Sequence, residues 1–250
     1  MRLKPFLAAG ILGLPVLALD VHADDVIFAD TAPVIDGAMD KIWSKTEWLP
    51  IDKHIAGAVP GESDFSGRYK LLWDSEYLYV IAEIVDDILY DGNADPRDRY
   101  WDDDCLEIFV DEDASGGNHL NDFNAFAYHI ALDGNVVDIG RAFPSGGAAI
   151  LLLNDHVRSE WTRQAEPPFK VIWEVAIKLF GKEFDPDRTD NIPVRLHEGK
   201  QVGFMVAYCD NDGSPEREHF LGSQSIAPVN GDKNLGYITA SVFGRLRLVN

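Results

Sequence analysis

Cysteine is nearly absent, with only Cys105 and Cys209 in 250 residues. Two thiols cannot build a zinc site on their own, and there is no C-x-x-C-H stretch for covalent haem attachment. In an oxidising compartment they could form one disulfide, and the alternative of two separate buried thiols stays open. Basic residues are also scarce, 22 Lys and Arg against 42 Asp and Glu, for a net charge of −20. Such a surface repels nucleic acid and anionic membranes and suits neutral ligands and divalent cations. Beyond residue 23 no stretch is long and apolar enough to make a membrane span. The chain has no G-x-S-x-G elbow, and Cys105 sits among acids that raise a thiol pKa, which argues against a serine or cysteine hydrolase. No internal repeat and no Pro- or Ser-rich linker divides it.

The chain opens with a basic start at Arg2 and Lys4, an apolar run from Phe6 to Leu19, and the small-residue pattern Val21-His22-Ala23. This reads as a secretory signal over residues 1–23, removed after about Ala23. It implies an exported domain over 24–250, periplasmic or secreted. In that remainder, strand-length apolar runs are punctuated by turn residues. Arg68–Trp73 and Tyr77–Val85 flank Asp74-Ser75-Glu76, and Asn124–Leu132 and Val136–Arg141 flank Asp133-Gly134-Asn135, both hairpin signatures. Val171–Ile177, Gln201–Asp210 and Phe243–Val249 read as further strands. The expected fold class is all-β, a two-sheet antiparallel sandwich of jelly-roll or immunoglobulin-like type, with short helices only at Met39–Trp43 and Leu179–Phe184. Ala56–Ser66, Tyr90–Arg99 and Ser214–Tyr237 read as loops.

One stretch stands apart, Tyr100 to Asp113, YWDDDCLEIFVDED. As an extended strand it sends Leu106, Ile108 and Val110 to one face and Trp101, Asp103, Cys105, Glu107 and Phe109 to the other. An indole, carboxylates and a thiol on one face suit a ligand that is polar at its rim and apolar on one side, such as a sugar, or a metal ion. The small residues beside His129 leave room above the adjacent strand. Oxygen-rich turns follow two strands. Asp111, Asp113 and Asn118 at one, and Asp210 and Asp212 at the other, are candidate calcium ligands, although neither has the spacing of an EF-hand. A solvated acidic loop explains the same residues equally well.

Five blocks in order, APVIDGAMDKIW, LLWDSEYLYVIAEIVDD, YWDDDCLEIFVDED, FNAFAYHIALDGN and FGRLRLV, resemble the family 9 carbohydrate-binding modules within the wider DOMON-like sandwich group. The resemblance spans Ala32 to Val249, and its most specific motif, W-x-x-D-x-x-E, is met by Trp101, Asp104 and Glu107. It implies a non-catalytic sandwich that clamps a sugar ring between two aromatic side chains, hydrogen-bonds its hydroxyls, and carries structural calcium. By motif, Trp101 is the stacking platform and Glu107 a hydroxyl partner. This sequence departs from the pattern in two places. The region before the last strand has no tryptophan, leaving Tyr237 to stand in for the second clamp, and Ala127 and His129 replace an expected arginine and asparagine.

The resemblance thus implies a saccharide ligand, a role in glycan capture or carbohydrate catabolism, and glycan-degrading enzymes as partners. A haem b electron-transfer domain is the alternative within the wider group, with Met205 and His119, His129, His156, His197 and His219 as candidate axial ligands; Met205, inside GFMVAY, more often packs as core. A glycoside hydrolase needs an acid pair, and among 42 acids such pairs carry no information.

Overall fold

The computed structural model describes residues 24–250, so the signal-like segment at 1–23 lies outside the described residues. Fourteen strands account for most of the regular structure. They are β1 (Asp24–Ile27), β2 (Leu49–Ile51), β3 (Lys53–Gly57), β4 (Phe65–Trp73), β5 (Leu78–Asp86), β6 (Cys105–Asp111) and β7 (Phe126–Ala131). There follow β8 (Val136–Ala142), β9 (Ala148–Leu152), β10 (Val157–Arg163), β11 (Lys170–Ile177), β12 (Gln201–Asp210), β13 (His219–Gly222) and β14 (Gly244–Val249). The larger sheet runs β1-β14-β12-β6-β7-β8-β9, with β13 paired to the second half of β12 and β3 to β13. The smaller runs β10-β11-β5-β4-β2. All pairings are antiparallel except β1 with β14. This is the expected all-β two-sheet sandwich.

The hairpin β4–β5 shows why the sequence folds this way. Asp74 Oδ1 accepts from the backbone N–H of Glu76 and Tyr77, fixing the turn, and the two strands then pair from Trp73↔Leu78 to Phe65↔Asp86. β5 is a nearly continuous apolar run because both its faces are covered. One packs on the core between the sheets, which includes Trp173, Tyr128, Phe126 and Tyr208. The other is capped by a second cluster around Trp43, whose indole N–H donates to buried Glu174. A third cluster lies on the outer face of the larger sheet, where Cys105, Phe109, Met205 and Cys209 are roofed by the chain before β14.

Three expectations change. The helix expected at Met39–Trp43 is a 3-10 turn at Lys41–Lys45. Leu179–Phe184 is not helical. It makes one turn, with Phe184 N–H donating to the Gly181 carbonyl, and seats Leu179, Phe180 and Phe184 separately in the end of the core. The stretches read as loops at 56–66 and 214–237 contribute the end of β3, the first residues of β4 and all of β13; β3 and β13, with five and four residues, are too short for an apolar period to show.

Candidate functional site

β6 is the strand that organises the outer face. Leu106, Ile108 and Val110 point into the intersheet core, and Cys105, Glu107 and Phe109 point the other way, as the alternation requires. Trp101 is not on this strand. Residues 100–103 form a turn, so strand parity does not place the indole; three successive aspartates do. Asp103 accepts from the N–H groups of Gly92 and Asn93 and from the Asn93 amide. Asp104 accepts from Tyr90 N–H at 2.7 Å and Asn211 N–H at 2.8 Å, and Asp102 from Arg217 N–H at 3.2 Å. The acids of this run bind backbone amides of two loops together, and Trp101 is presented from that frame, 40% exposed. Its ring meets Tyr100 edge-on at 4.9 Å, and Tyr100 meets His129 edge-on at 4.5 Å.

Trp101, Glu107, His129 and Tyr237 all line one cleft of about 320 Å³, together with Tyr100, Ile139, Arg217 and Asn234. Of the expected ligand contacts, only Asp104 is elsewhere, fully buried behind the cleft with both oxygens engaged by the amides just described. Arg217 and Asn234 were missed because they lie in a long polar stretch without period. Tyr237 arrives on a segment that presses against the sheet at Gly236, where a Cβ would come within 2.8 Å of Met205 Cε and Phe109 Cε1. His119, read in the sequence as a haem ligand candidate, bonds the Gly236 carbonyl at 2.8 Å and anchors that segment. Met205 is buried in the outer cluster as core.

The cleft floor is a buried charge network. Glu107, 2% exposed, receives three contacts on Oε1: His129 Nε2 at 2.8 Å, Cys209 Sγ at 3.0 Å and Arg217 Nη1 at 3.5 Å. Burial by itself raises a carboxyl pKa. Here it is outweighed by His129 and Arg217, which hold Glu107 below its ordinary value and therefore ionised. Its Oε2 has no partner among the described residues and is not sealed from solvent, so one carboxylate oxygen is left for a ligand. Asp138 stands nearby, its oxygens taken by Ala127 and Ile139 N–H, and burial pushes it up to about 7.

The disulfide expected between Cys105 and Cys209 is not formed in the structure. The two residues are directly opposed across β6 and β12, but both are buried free thiols, and Cys209 is engaged with Glu107 and Arg217 instead. Burial raises both thiol pKa values.

The expected calcium ligands divide. Around Asp111, Asp113 and Asn118 the side chains mostly accept from loop amides, Asp111 from Gly116, Asp113 from Ser115 and Asn118 from Leu120. That loop gathers no group of three metal-ligating side chains among the described residues. Asp210 does belong to two, one with Asp86 and Asp104 and one with Asp64 and His219, and Asp212 to an adjoining surface group with Asp64 and Asp87. The buried triad fits a hard cation. Asp210 is 1% exposed, yet among the described residues neither of its oxygens has a hydrogen-bond partner, and Asp86 Oδ1 is equally orphaned while Oδ2 accepts from the Tyr208 hydroxyl at 2.7 Å. Burial raises all three carboxyls, Asp210 to about 8, with neighbouring acids adding to the shift. Neutralising such a group takes protons or an ion that wants several oxygens.

An antiparallel two-sheet sandwich with an aromatic-walled polar cleft on the outer face of its larger sheet defines a β-sandwich binding module. Comparison with known proteins narrows that class. The chain belongs to the carbohydrate family 9 binding domain-like family, whose model matches residues 35–250. Among relatives, exoglucanase XynX of Acetivibrio thermocellus is 32% identical over 182 residues, 73% of this chain and 15% of that protein. Endo-1,4-beta-xylanase A of Thermotoga maritima is 34% identical over 93 residues, 37% of this chain and 8% of that protein. The chain therefore spans only a small part of these relatives. A family 9 carbohydrate-binding module from Caldicellulosiruptor kristjanssonii, solved with cellotriose, superposes with a TM-score of 0.63 at 19% identity, covering 92% of this chain and 94% of that one. Its glucose complex gives 0.61 at 19% identity, covering 90% and 95%. At that identity the likeness is one of fold.

Proposed function

We propose that this protein is an exported, non-catalytic saccharide-binding module that stacks one sugar ring on Trp101 and grips its hydroxyls from the floor at Glu107. The observation that carries this is the pairing of a 40% exposed indole with an ionised carboxylate that keeps one oxygen free, both in the same cleft. The C–H face of a pyranose is apolar and suits the indole, while hydroxyls donate to the carboxylate in charge-assisted bonds. Tyr237 closes the cleft as the second aromatic side chain. Of the eight lining residues only Glu107 is an acid, whereas glycoside hydrolysis by acid and base needs two facing the same bond. The structurally similar module from Caldicellulosiruptor kristjanssonii is solved with cellotriose and with glucose, which makes these the first ligands to try.

Calcium is part of the proposal as a structural ion held by Asp86, Asp104 and Asp210. When bound it would neutralise the buried carboxylates. The chain's own contribution is to position them: Asp104 ties the Tyr90 and Asn211 backbones together, and Asn211 orders the turn that carries Arg217. Cleavage of the signal after Ala23 and action beside glycan-degrading enzymes complete the reading. Calorimetric titration with glucose and cello-oligosaccharides tests the ligand, and the intact mass of protein recovered from the exported fraction tests cleavage. Saturable binding by the wild type and an N-terminus at Asp24 are expected. No heat with any saccharide would remove the binding claim, and an uncleaved product would remove the export claim.

A further inference from the structure

Arg217 is absent from every motif in the sequence, yet it occupies the cleft floor. It sits at the end of the turn joining β12 to β13, its backbone N–H held by Asp102 and its guanidinium lying over the Phe220 ring at 4.1 Å. Nη1 is committed, donating to Cys209 Sγ at 3.1 Å and reaching Glu107 Oε1 at 3.5 Å. Nε and Nη2 are not. They bond nothing among the described residues, and neither is a sealed, unsatisfied donor. Stacking on Phe220 and the Nη1 contacts fix the plane of the group, so its other donors are presented in a fixed orientation.

Resting on the saccharide reading above, we propose that Arg217 is a ligand contact that reads two adjacent sugar hydroxyls through its free N–H groups, and that the Cys209 thiol positions it against Glu107. The chemistry of the floor is complementary to a vicinal diol. A guanidinium offers side-by-side donors to two neighbouring oxygens, while the free Glu107 oxygen accepts a hydrogen bond from one of the same hydroxyls. A neutral diol is preferred to a sugar carboxylate because Glu107 already balances the guanidinium, and a chain of net charge −20 repels anions. Cys209 joins the two contact groups. Its S–H donates to Glu107 Oε1 while its sulfur accepts from Arg217, so one buried side chain sets the separation between donor and acceptor.

The test uses the full domain, a panel of glucose, xylose, mannose and galactose, the monodeoxy analogues of whichever binds, and glucuronic acid. Affinity is read by calorimetry and fold by thermal melting. Arg217→Gln is expected to weaken binding about tenfold or more, the loss typical of one or two charge-assisted bonds. Arg217→Lys should not restore it, since lysine keeps the charge but not the paired donors. Removing one of the two hydroxyls should weaken wild-type binding and leave the Arg217→Gln affinity nearly unchanged. Cys209→Ala should lower affinity several-fold, with Cys209→Ser, which can still donate and accept, recovering part of it. Full rescue by lysine would reduce Arg217 to a counter-ion for Glu107 and overturn the proposal, as would tighter wild-type binding of glucuronic acid than of the neutral sugar. If the wild type binds no sugar, the saccharide reading fails and this one with it; if it binds and Arg217→Gln binds equally, only this inference falls. If Arg217→Gln does not fold, the deoxy-sugar series on wild type and the Cys209 pair decide.

Discussion

Removing divalent cations should destabilise the protein, and by an amount that depends on pH. Three carboxylates, Asp86, Asp104 and Asp210, share one buried site, and the two Asp210 oxygens and Asp86 Oδ1 accept no hydrogen bond among the described residues. Without a cation the folded state keeps protons on these groups, since burial holds their pKa values up, that of Asp210 at about 8. In the unfolded chain the same carboxyls lose their protons near pH 4. Folding therefore binds protons between about pH 4 and 8, and stability falls as pH rises through that window. A cation that binds only the folded form at a hundred times its dissociation constant contributes about 2.7 kcal/mol. For a domain of this size that is a melting shift of roughly 5 to 10 °C. Differential scanning fluorimetry at pH 5, 6.5 and 8, in EDTA and in calcium, should show the gap widening with pH. Asp210→Asn gives the sharper contrast: in EDTA at pH 8 it should melt above wild type, having lost a repelling charge, and in calcium below it, having lost a ligand. Coincident melting curves with and without EDTA at pH 8, together with a neutral effect of Asp210→Asn, would refute this reasoning.

Other consequences follow from the same geometry. Glu107→Gln should lower saccharide affinity at least tenfold in a titration and also cost ~1–3 kcal/mol in denaturant unfolding, because Arg217 loses its buried counter-charge and His129 its carboxylate partner. Cys105 and Cys209 should be silent to Ellman's reagent in the native protein and react only on unfolding, since both are buried with raised pKa values. Gly236→Ala should displace the Tyr237 segment, because the added methyl meets Met205 and Phe109, so binding should weaken along with a lowered melting temperature.

Most of the sandwich can be read in the sequence because β4, β5, β6, β7, β11 and β12 are long enough to show their apolar pattern. β3 and β13 have five and four residues and pair mainly with each other and with half of β12, so tertiary pairing and not local pattern creates them. Leu179, Phe180 and Phe184 have helical spacing without a helix, since burial at the end of the core decides their backbone. The site divides in the same way. Glu107 and His129 are register partners on β6 and β7, which alternation can place. Trp101 reaches the cleft although the strand begins only at Cys105, through hydrogen bonds that Asp102, Asp103 and Asp104 accept from N–H groups and that no strand period encodes. The motif residue Asp104 reads as a ligand contact and is scaffold. Asp86, Asp104 and Asp210 are distant in sequence, and in a chain so rich in acid only the fold singles them out.

The central claim is that Trp101 is a platform and not core. Trp101→Ala, titrated with glucose and cellotriose beside the wild type while its melting is recorded, tests it directly. A partly exposed indole leaves little cavity when removed, so the account predicts that saccharide binding is lost while the melting temperature stays within a few degrees of wild type. Undiminished affinity, or unfolding with Trp101 gone, would contradict it.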